Sequence, residues 1–305
     1  MVLSRVKPQT SAASSLRRLI SGRSIVVAPG VFSPIVAQLA ERAGFKAIYF
    51  SGGGFANLLG MPDLGVTTMT EVTEAARRVI YVSQLPLIVD VDTGFGEAVN
   101  VMRAVRELGR AGAAAAQIED QVMPKRCGHL EGKEVVEIDE MAKKLVSAKE
   151  ANASEIIIIA RTDARAVEGF DSAVERANAY LKAGAEVIFP EALESGDEFR
   201  EFRKKVKAPL LANMTEFGKT PYMSAAEFEE MGYNIVIFPM TPFRAMLKSV
   251  KRALEALKRT GTQKGILKDL MTRSEIYEVI DYYRYEQADK RAMETARKLD
   301  KADTA

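Results

Sequence analysis

The chain has 305 residues, 47% of them hydrophobic, and its 43 Lys and Arg stand against 41 Asp and Glu for a formal net charge of +2. That balance leaves no electrostatic footprint for nucleic acid or an anionic membrane, and no apolar run reaches the roughly 20 residues of a membrane span. A single cysteine excludes an internal disulfide framework and fits a reducing compartment, so a cytoplasmic protein is expected.

Taken in order, the chain opens without an acid before Glu41, while Arg5, Lys7, Arg17, Arg18 and Arg23 precede it. Such a stretch can be read as an organelle transit peptide. The helical spacing of Leu16, Leu19 and Ile20, with Gly22 as a stop, favours instead a plain tail over residues 1–10 and a first helix from Ala12 to Ser21. A rhythm then repeats. Arg42-Ala43-Gly44 leads into Ala47 to Phe50, Arg110-Ala111-Gly112 into Ala114 to Ile118, Lys182-Ala183-Gly184 into Val187 to Phe189, and Met231-Gly232 into Ile235 to Phe238. Each reads as a helix ending on glycine and then a short buried strand. Further strands fit Ile25 to Ala28, Leu87 to Val91, Ile156 to Ala160 and Leu210 to Ala212. Amphipathic stretches fill the gaps at 33–43, 70–83, 97–111, 139–152, 171–183, 196–206, 224–231 and 242–259.

Continuous apolar strands alternating with helices mean parallel pairing buried on both faces. Eight such units predict an α/β fold of the TIM type, a closed (β/α)8 barrel over residues 11–260. An open doubly wound sheet is the alternative, weakened because no Gly-x-Gly-x-x-Gly turn follows the first strand. Residues 261–305 are surplus to the barrel. They read as a short helix and then a long one over 273–300 carrying Tyr277, Tyr282, Tyr283 and Tyr285, an aromatic extension expected to pack on a neighbouring subunit.

In this barrel class, chemistry sits where strands meet the following loops. Here the second strand ends in Ser51-Gly52-Gly53-Gly54, the third in Asp90-Val91-Asp92, the fourth in Glu119-Asp120 and the fifth in Arg161-Thr162-Asp163. Glu191 ends the sixth, Asn213-Met214-Thr215 the seventh, and Arg244 follows the eighth. Asp90 and Asp92, two apart on a strand, are expected on one face, where with Glu119 they suit a hard divalent cation such as Mg2+. The glycine turn offers bare amides to an anion, and Arg161, Arg244 and Arg273 can each grip a carboxylate bidentately. The loop Lys125-Arg126-Cys127-Gly128-His129 holds the only cysteine and the only histidine. An isolated cysteine is more often packing than chemistry, but a thiol beside two cations is expected to have a lowered pKa. A structural zinc site would need about four ligands, and there is no further Cys or His. The mouth therefore fits a small polycarboxylate held with Mg2+ and facing a thiol.

These segments resemble the isocitrate lyase and phosphoenolpyruvate mutase superfamily. The resemblance rests on Lys125-Arg126-Cys127-Gly128-His129, Ser51-Gly52-Gly53-Gly54, Leu59 to Gly65, Asp90 to Gly96, Ile118 to Gln121, Arg161 to Ala164, Phe189 to Ala192 and Asn213 to Gly218, and runs from about Leu16 to Glu286. It implies Mg2+, with Mn2+ as a substitute, held by Asp90 and Asp92 with Asp63 and Glu119 in the water shell. It implies that Ser51, Gly52 and Gly53 bind an α-hydroxy-carboxylate, that Cys127, Gly128 and His129 lie on a mobile loop over it, and that Arg161, Glu191, Asn213, Thr215, Arg244 and Arg273 complete the pocket. The branch it is most similar to cleaves the tricarboxylate 2-methylisocitrate to pyruvate and succinate, with Phe189, Ile237 and Pro239 around the methyl group. By the same resemblance Cys127 is the proton donor and the protein a homotetramer built as a dimer of dimers; Tyr49, at the end of the second strand, is a candidate base. Cleavage of isocitrate, or action on a phosphonate or an oxaloacetate-like acid, are the rival activities, and a barrel that senses a polycarboxylate without turnover is the rival class. Leu130-Glu131 follow the Cys-Gly-His motif where that branch commonly has Arg-Pro, so a cation near the loop is missing.

Overall fold

The computed structural model describes residues 11–302; the expected tail over 1–10 lies outside them. The chain divides into two compact units, Thr10–Met246 and one that holds Leu247–Ala305.

The first unit contains α1 (Ala12–Ile20), β1 (Val26–Val31), α2 (Pro34–Arg42), β2 (Ile48–Phe50), α3 (Gly52–Leu58), α4 (Met69–Val82), β3 (Leu87–Asp90), α5 (Ala98–Ala111) and β4 (Ala115–Glu119). It continues with α6 (Ile138–Glu150), β5 (Ile157–Thr162), α7 (Ala164–Val167), α8 (Phe170–Lys182), β6 (Val187–Pro190), α9 (Gly196–Lys205), β7 (Leu211–Asn213), α10 (Ala225–Glu230), β8 (Ile235–Phe238) and the start of α11 (Thr241–Thr260). All strand pairs are parallel, in the order β6-β5-β4-β3-β2-β1-β8-β7. The ends of that sheet, β6 and β7, meet at the bridge Ile188↔Leu210, so the sheet is a nearly closed barrel and not an open one.

Local chemistry sets the boundaries. Capping boxes start α4 (Thr68 with Glu71) and α10 (Ser224 with Glu227). Gly112, left-handed at φ 93°, ends α5 and turns the chain into β4. The strands sort their residues by parity. Tyr49, Ile88, Ala115, Ile157, Ile159, Val187, Phe189, Leu211, Ile235 and Ile237 fill the barrel, while Ile48, Phe50, Val89, Ile158 and Ile188 pack against the helices. Leu16 and Ile20 of α1 join the interior cluster, and Asn234 donates to the Ile20 carbonyl, so the first helix plugs the amino-terminal end of the barrel. With that end sealed, the interior opens only at the carboxyl ends of the strands.

Two local expectations change. Ser51-Gly52-Gly53-Gly54 is the first turn of α3 rather than a free turn, with Ser51 as its N-cap, accepting from the Gly54 amide at 3.1 Å. Asp92 lies beyond β3 in the left-handed region at φ 48°, so it does not share a strand face with Asp90.

The second unit takes in the rest of α11, a 3-10 turn over Lys264–Asp269, α12 (Arg273–Val279) and α13 (Tyr282–Ala302). The expected single helix over 273–300 is broken at Asp281, which is left-handed at φ 55°. At the break Tyr277 stacks on Tyr282 with centroids 4.2 Å apart, and Tyr283 meets both edge-on. Leu247, Val250, Leu254 and Leu257 form one exposed apolar stripe along α11.

Candidate active site

A cavity of about 160 Å³ opens at the carboxyl ends of the barrel strands. Of the expected residues, Tyr49, Ser51, Gly53, Asp63, Asp90, Cys127, Gly128, His129, Arg161, Phe189, Glu191, Asn213, Thr215, Ile237, Pro239 and Arg244 line it. Asp92 and Glu119 are buried (5% and 1% exposed) and are not among its lining residues. Gly52 is also behind the wall, and its amide donates to Asp90 Oδ2 at 3.0 Å instead of pointing to a ligand. Arg273 begins α12 in the second unit and is exposed.

One side of the mouth is acidic. A turn brings Asp92 beside Asp90, its amide donating to Asp90 Oδ1 at 3.1 Å, and Gln117 Nε2 donates to the same oxygen at 3.2 Å. Lys125, adjacent in sequence to the Cys127 motif, is buried among these acids. Its ammonium pairs with Asp63 and lies 2.7 Å from Asp92 Oδ1. Burial pushes the Asp92 carboxyl up to about 6 against the pull of Lys125, and raises Glu119 well above its usual range. Burial disfavours charge on Lys125 as well, but Glu119, Asp92, Asp63 and Asp90 outweigh it and hold the ammonium charged.

This acid set bears on whether the site fits a divalent cation. Asp92 Oδ1 accepts no well-angled hydrogen bond despite the nearby ammonium, and both Glu119 oxygens are buried without one. A Cβ on Gly52 would stand 2.9 Å from Asp92 Oδ1 and 3.2 Å from Asp90 Oδ2, so only glycine leaves room beside these oxygens. Among the described residues no three acid, His or Cys side chains converge as a ligand cluster. Hard carboxylate oxygens, few of them direct ligands, fit Mg2+, which keeps several waters or substrate oxygens.

The opposite side is cationic. Arg161, at the end of β5, donates through Nε and Nη2 to Asp163 at 2.9 and 3.0 Å. It also pairs with Glu119 at 3.4 Å and Glu191 at 3.6 Å, over the Phe189 ring at 5.3 Å. Asn213 Nδ2 donates to both Glu191 oxygens at 3.2 and 3.3 Å. Burial opposes the Arg161 charge, yet Asp163, Glu119 and Glu191 raise its pKa well above the ordinary value. Arg244 is half-exposed at the rim, pairing with Glu216 at 3.3 Å and lying over Phe217.

The 121–136 loop covers the mouth. Gln121 ties its base, accepting from the Arg126 amide and donating to the Arg126 carbonyl, each at 2.9 Å. His129 reaches the loop after β7, where its Nδ1 accepts from the Lys219 amide at 3.0 Å. That contact puts the neutral ring's proton on Nε2, 3.4 Å from Glu191. Burial pushes the His129 pKa below 6.5.

Two chemical expectations reverse. The Cys127 thiol is raised, not lowered. Its surface touches solvent, but the protein packed around the sulfur desolvates it, outweighing the His129 amide bond and Arg161. Lys125, expected to activate it, points instead to Asp63 and Asp92. A raised thiol keeps its proton and can donate it. Tyr49 is also unsuited to act as a base. Burial, reinforced by Asp90, raises its phenol well above 10, and its hydroxyl donates to Gln117 Oε1.

The model for phosphoenolpyruvate phosphomutase matches residues 16–258, most of the chain. The chain belongs to that family. Within the phosphoenolpyruvate phosphomutase family it is 57% identical over 284 residues to a 2-methylisocitrate lyase of Aeropyrum pernix, covering 93% of this chain and 92% of the relative. It is 48% identical over 294 residues to a 2-methylisocitrate lyase of Bacillus subtilis, covering 96% and 97%. A crystal structure of 2,3-dimethylmalate lyase, a member of the PEP mutase/isocitrate lyase superfamily, superposes with a TM-score of 0.88 at 39% identity, covering 93% of this chain and 96% of that one.

Proposed function

We propose that this protein is a carbon–carbon lyase that cleaves 2-methylisocitrate to pyruvate and succinate. The observation that carries this reading is the loop thiol. Cys127, protonated, lies on the wall of a mouth whose other walls are Arg161 with Glu191 and the Asp90 group. Relatives named 2-methylisocitrate lyase over nearly the whole chain support the choice of acid.

The reaction breaks the bond between the hydroxyl-bearing carbon and its neighbour. The hydroxyl proton passes to a carboxylate on the cavity wall, for which Glu191 is placed, and returns from there to the Cys127 sulfur at the end of the cycle. The C–O bond becomes the ketone of pyruvate, and the electron pair of the broken C–C bond passes to the succinate fragment as an aci-carboxylate. Arg161, itself buried and held rigid by Asp163, stabilises that charge. The Cys127 S–H then delivers its proton to the carbon, and the loop keeps water away from the carbanion. Asp90 and Asp92, with Asp63 and Glu119 around them, would hold Mg2+ or Mn2+. When bound, the cation supplies Lewis-acid polarisation of the substrate's hydroxyl and carboxylate. Phe189, Ile237 and Pro239 offer apolar surface to the substrate's methyl group.

We also propose a homotetramer, supported by the exposed α11 stripe and by Tyr282, Tyr283 and Tyr285, which are 40–50% exposed. Light scattering on the intact protein measures that assembly. No helix among the described residues is long and apolar enough to cross a membrane, and a cytoplasmic location follows from the proposed metabolic role. Pyruvate formation from 2-methylisocitrate, isocitrate and oxaloacetate in the presence of Mg2+ tests the activity. The methylated acid is expected to give the highest kcat/KM. A methyl in an apolar pocket discriminates by roughly 10–200-fold. Equal or faster isocitrate cleavage overturns the substrate assignment, and no turnover of any acid leaves only a binding protein.

A further inference from the structure

We propose that Lys133 is a positioning residue that latches the Cys127 loop shut by joining it to the carboxylate behind Arg161. The proposal rests on the reading of this loop as the cover of the active site. Its side chain is 1% exposed, unusual for a lysine in a loop. The ammonium donates to two acceptors from different parts of the molecule: the backbone carbonyl of Gly128, beside the thiol, and Asp163 Oδ1 at 3.0 Å. The first belongs to the loop and the second to the end of β5.

The partner makes the arrangement more than a surface ion pair. Asp163 is buried and already accepts both donors of Arg161, while its amide donates to Asp120 Oδ1 at 2.9 Å. Asp120 is held in turn by the Tyr180 hydroxyl at 2.8 Å. One carboxylate therefore fixes the arginine that faces the ligand and the lysine that holds the loop. Gly128 must lie tight against the same group, because a Cβ there would stand 2.1 Å from Glu191 Oε1 and 2.5 Å from Arg161 Nη2. The latch sets the height of the Gly128 backbone, and that height sets where the Cys127 sulfur rests. The sequence gives Lys133 no motif, and its partner is 30 residues away in the chain.

The loop's own chemistry supplies the test. Arg126 is an exposed trypsin site within it, and Cys127 is the only thiol in the chain. Lys133→Met keeps length and loses the charge, while Asp163 keeps Arg161 as counter-ion. Without substrate, this variant should show cleavage after Arg126 and alkylation of Cys127 by iodoacetamide about ten- to a hundredfold faster than wild type, the change in open population expected from losing one charge-assisted hydrogen bond. The thermal midpoint should stay near wild type, and with substrate kcat should fall about a hundredfold, as expected for a reacting group misplaced by an ångström. Lys133→Arg, which retains charge and donors, should recover much of the protection, whereas a space-filling role would be served as well by Met. Protection of Lys133→Met equal to wild type, protection of Lys133→Arg no better than Met, or failure of Lys133→Met to fold each overturns the latch. Because cleavage and alkylation are read in free protein, they are independent of the lyase reading. An inactive wild type whose variants behave as expected refutes the lyase alone.

Discussion

Gly128→Ala puts one methyl where the site leaves no room, and the structure sets the size of the effect. Gly128 is not in a left-handed conformation, so alanine suits its backbone and the cost is contact alone. The new Cβ would lie 2.1 Å from Glu191 Oε1, 2.4 Å from Glu191 Cγ and 2.5 Å from Arg161 Nη2, where ordinary contact begins at 3.4 Å. The worst contact falls 1.3 Å short of that limit. Glu191 cannot swing aside cheaply, since Asn213, His129 and Arg161 hold it, nor can Arg161, which Asp163 clamps through two donors. The loop must therefore lift by about an ångström and carry Cys127 with it. Misplacement on that scale costs about 10² in rate, or about 2.7 kcal/mol of barrier. Pyruvate release followed by a coupled dehydrogenase gives kcat and KM, and a thermal melt checks the fold. The expectation is a hundredfold fall in kcat with a thermal midpoint near wild type. A kcat within threefold of wild type would refute the claim that Gly128 is pinned against this cluster.

Cys127→Ser should fold normally and bind substrate, yet lose about 10²–10⁴ in kcat if the thiol is the proton donor; a near-wild-type rate removes it from that role. Exhaustive chelation should abolish activity reversibly, with Mg2+ or Mn2+ restoring it, and Asp92→Ala should not be restored by either ion. Full activity after chelation refutes the metal assignment. The single histidine allows a direct titration by NMR: His129 should protonate below pH 6.5 in the folded protein. A depressed folded pKa means that its contribution to stability is complete above 6.5 and lost as pH falls through the folded value. A midpoint above 6.5 would show that Glu191 outweighs burial.

The eight-fold rhythm was readable because the strands are short apolar runs and four of them, β2, β4, β6 and β8, follow a helix-ending glycine, and those signals are local. Most site residues followed, since a strand's last residues mark the barrel mouth. What failed was set by tertiary contact. Asp92 reaches Asp90 through a left-handed turn, which a two-residue strand period does not anticipate. Gly52 to Gly54 form a helical turn because Ser51 caps it. The thiol was assigned to its neighbours in sequence, whereas Lys125 turns to Asp63 and Asp92, partners 62 and 33 positions away by number. Lys133 carried no sequence signal either, because a buried lysine is recognisable only once its acceptors are known.

The seam between β6 and β7 makes the barrel mechanically uneven. Every other neighbouring pair shares a ladder, but here Ile188 donates to the Pro209 carbonyl at 3.0 Å, and the ladder stops. Pro190, two residues on and facing the same neighbour, has no N–H to continue it. Above that gap, at the mouth, Asn213 from β7 reaches Glu191 after β6. The staves of this barrel are thus joined on one side by side chains that also line the cavity. Occupancy should tighten that joint, so amide exchange along β6 and β7 should slow on ligand binding more than along β1 or β2.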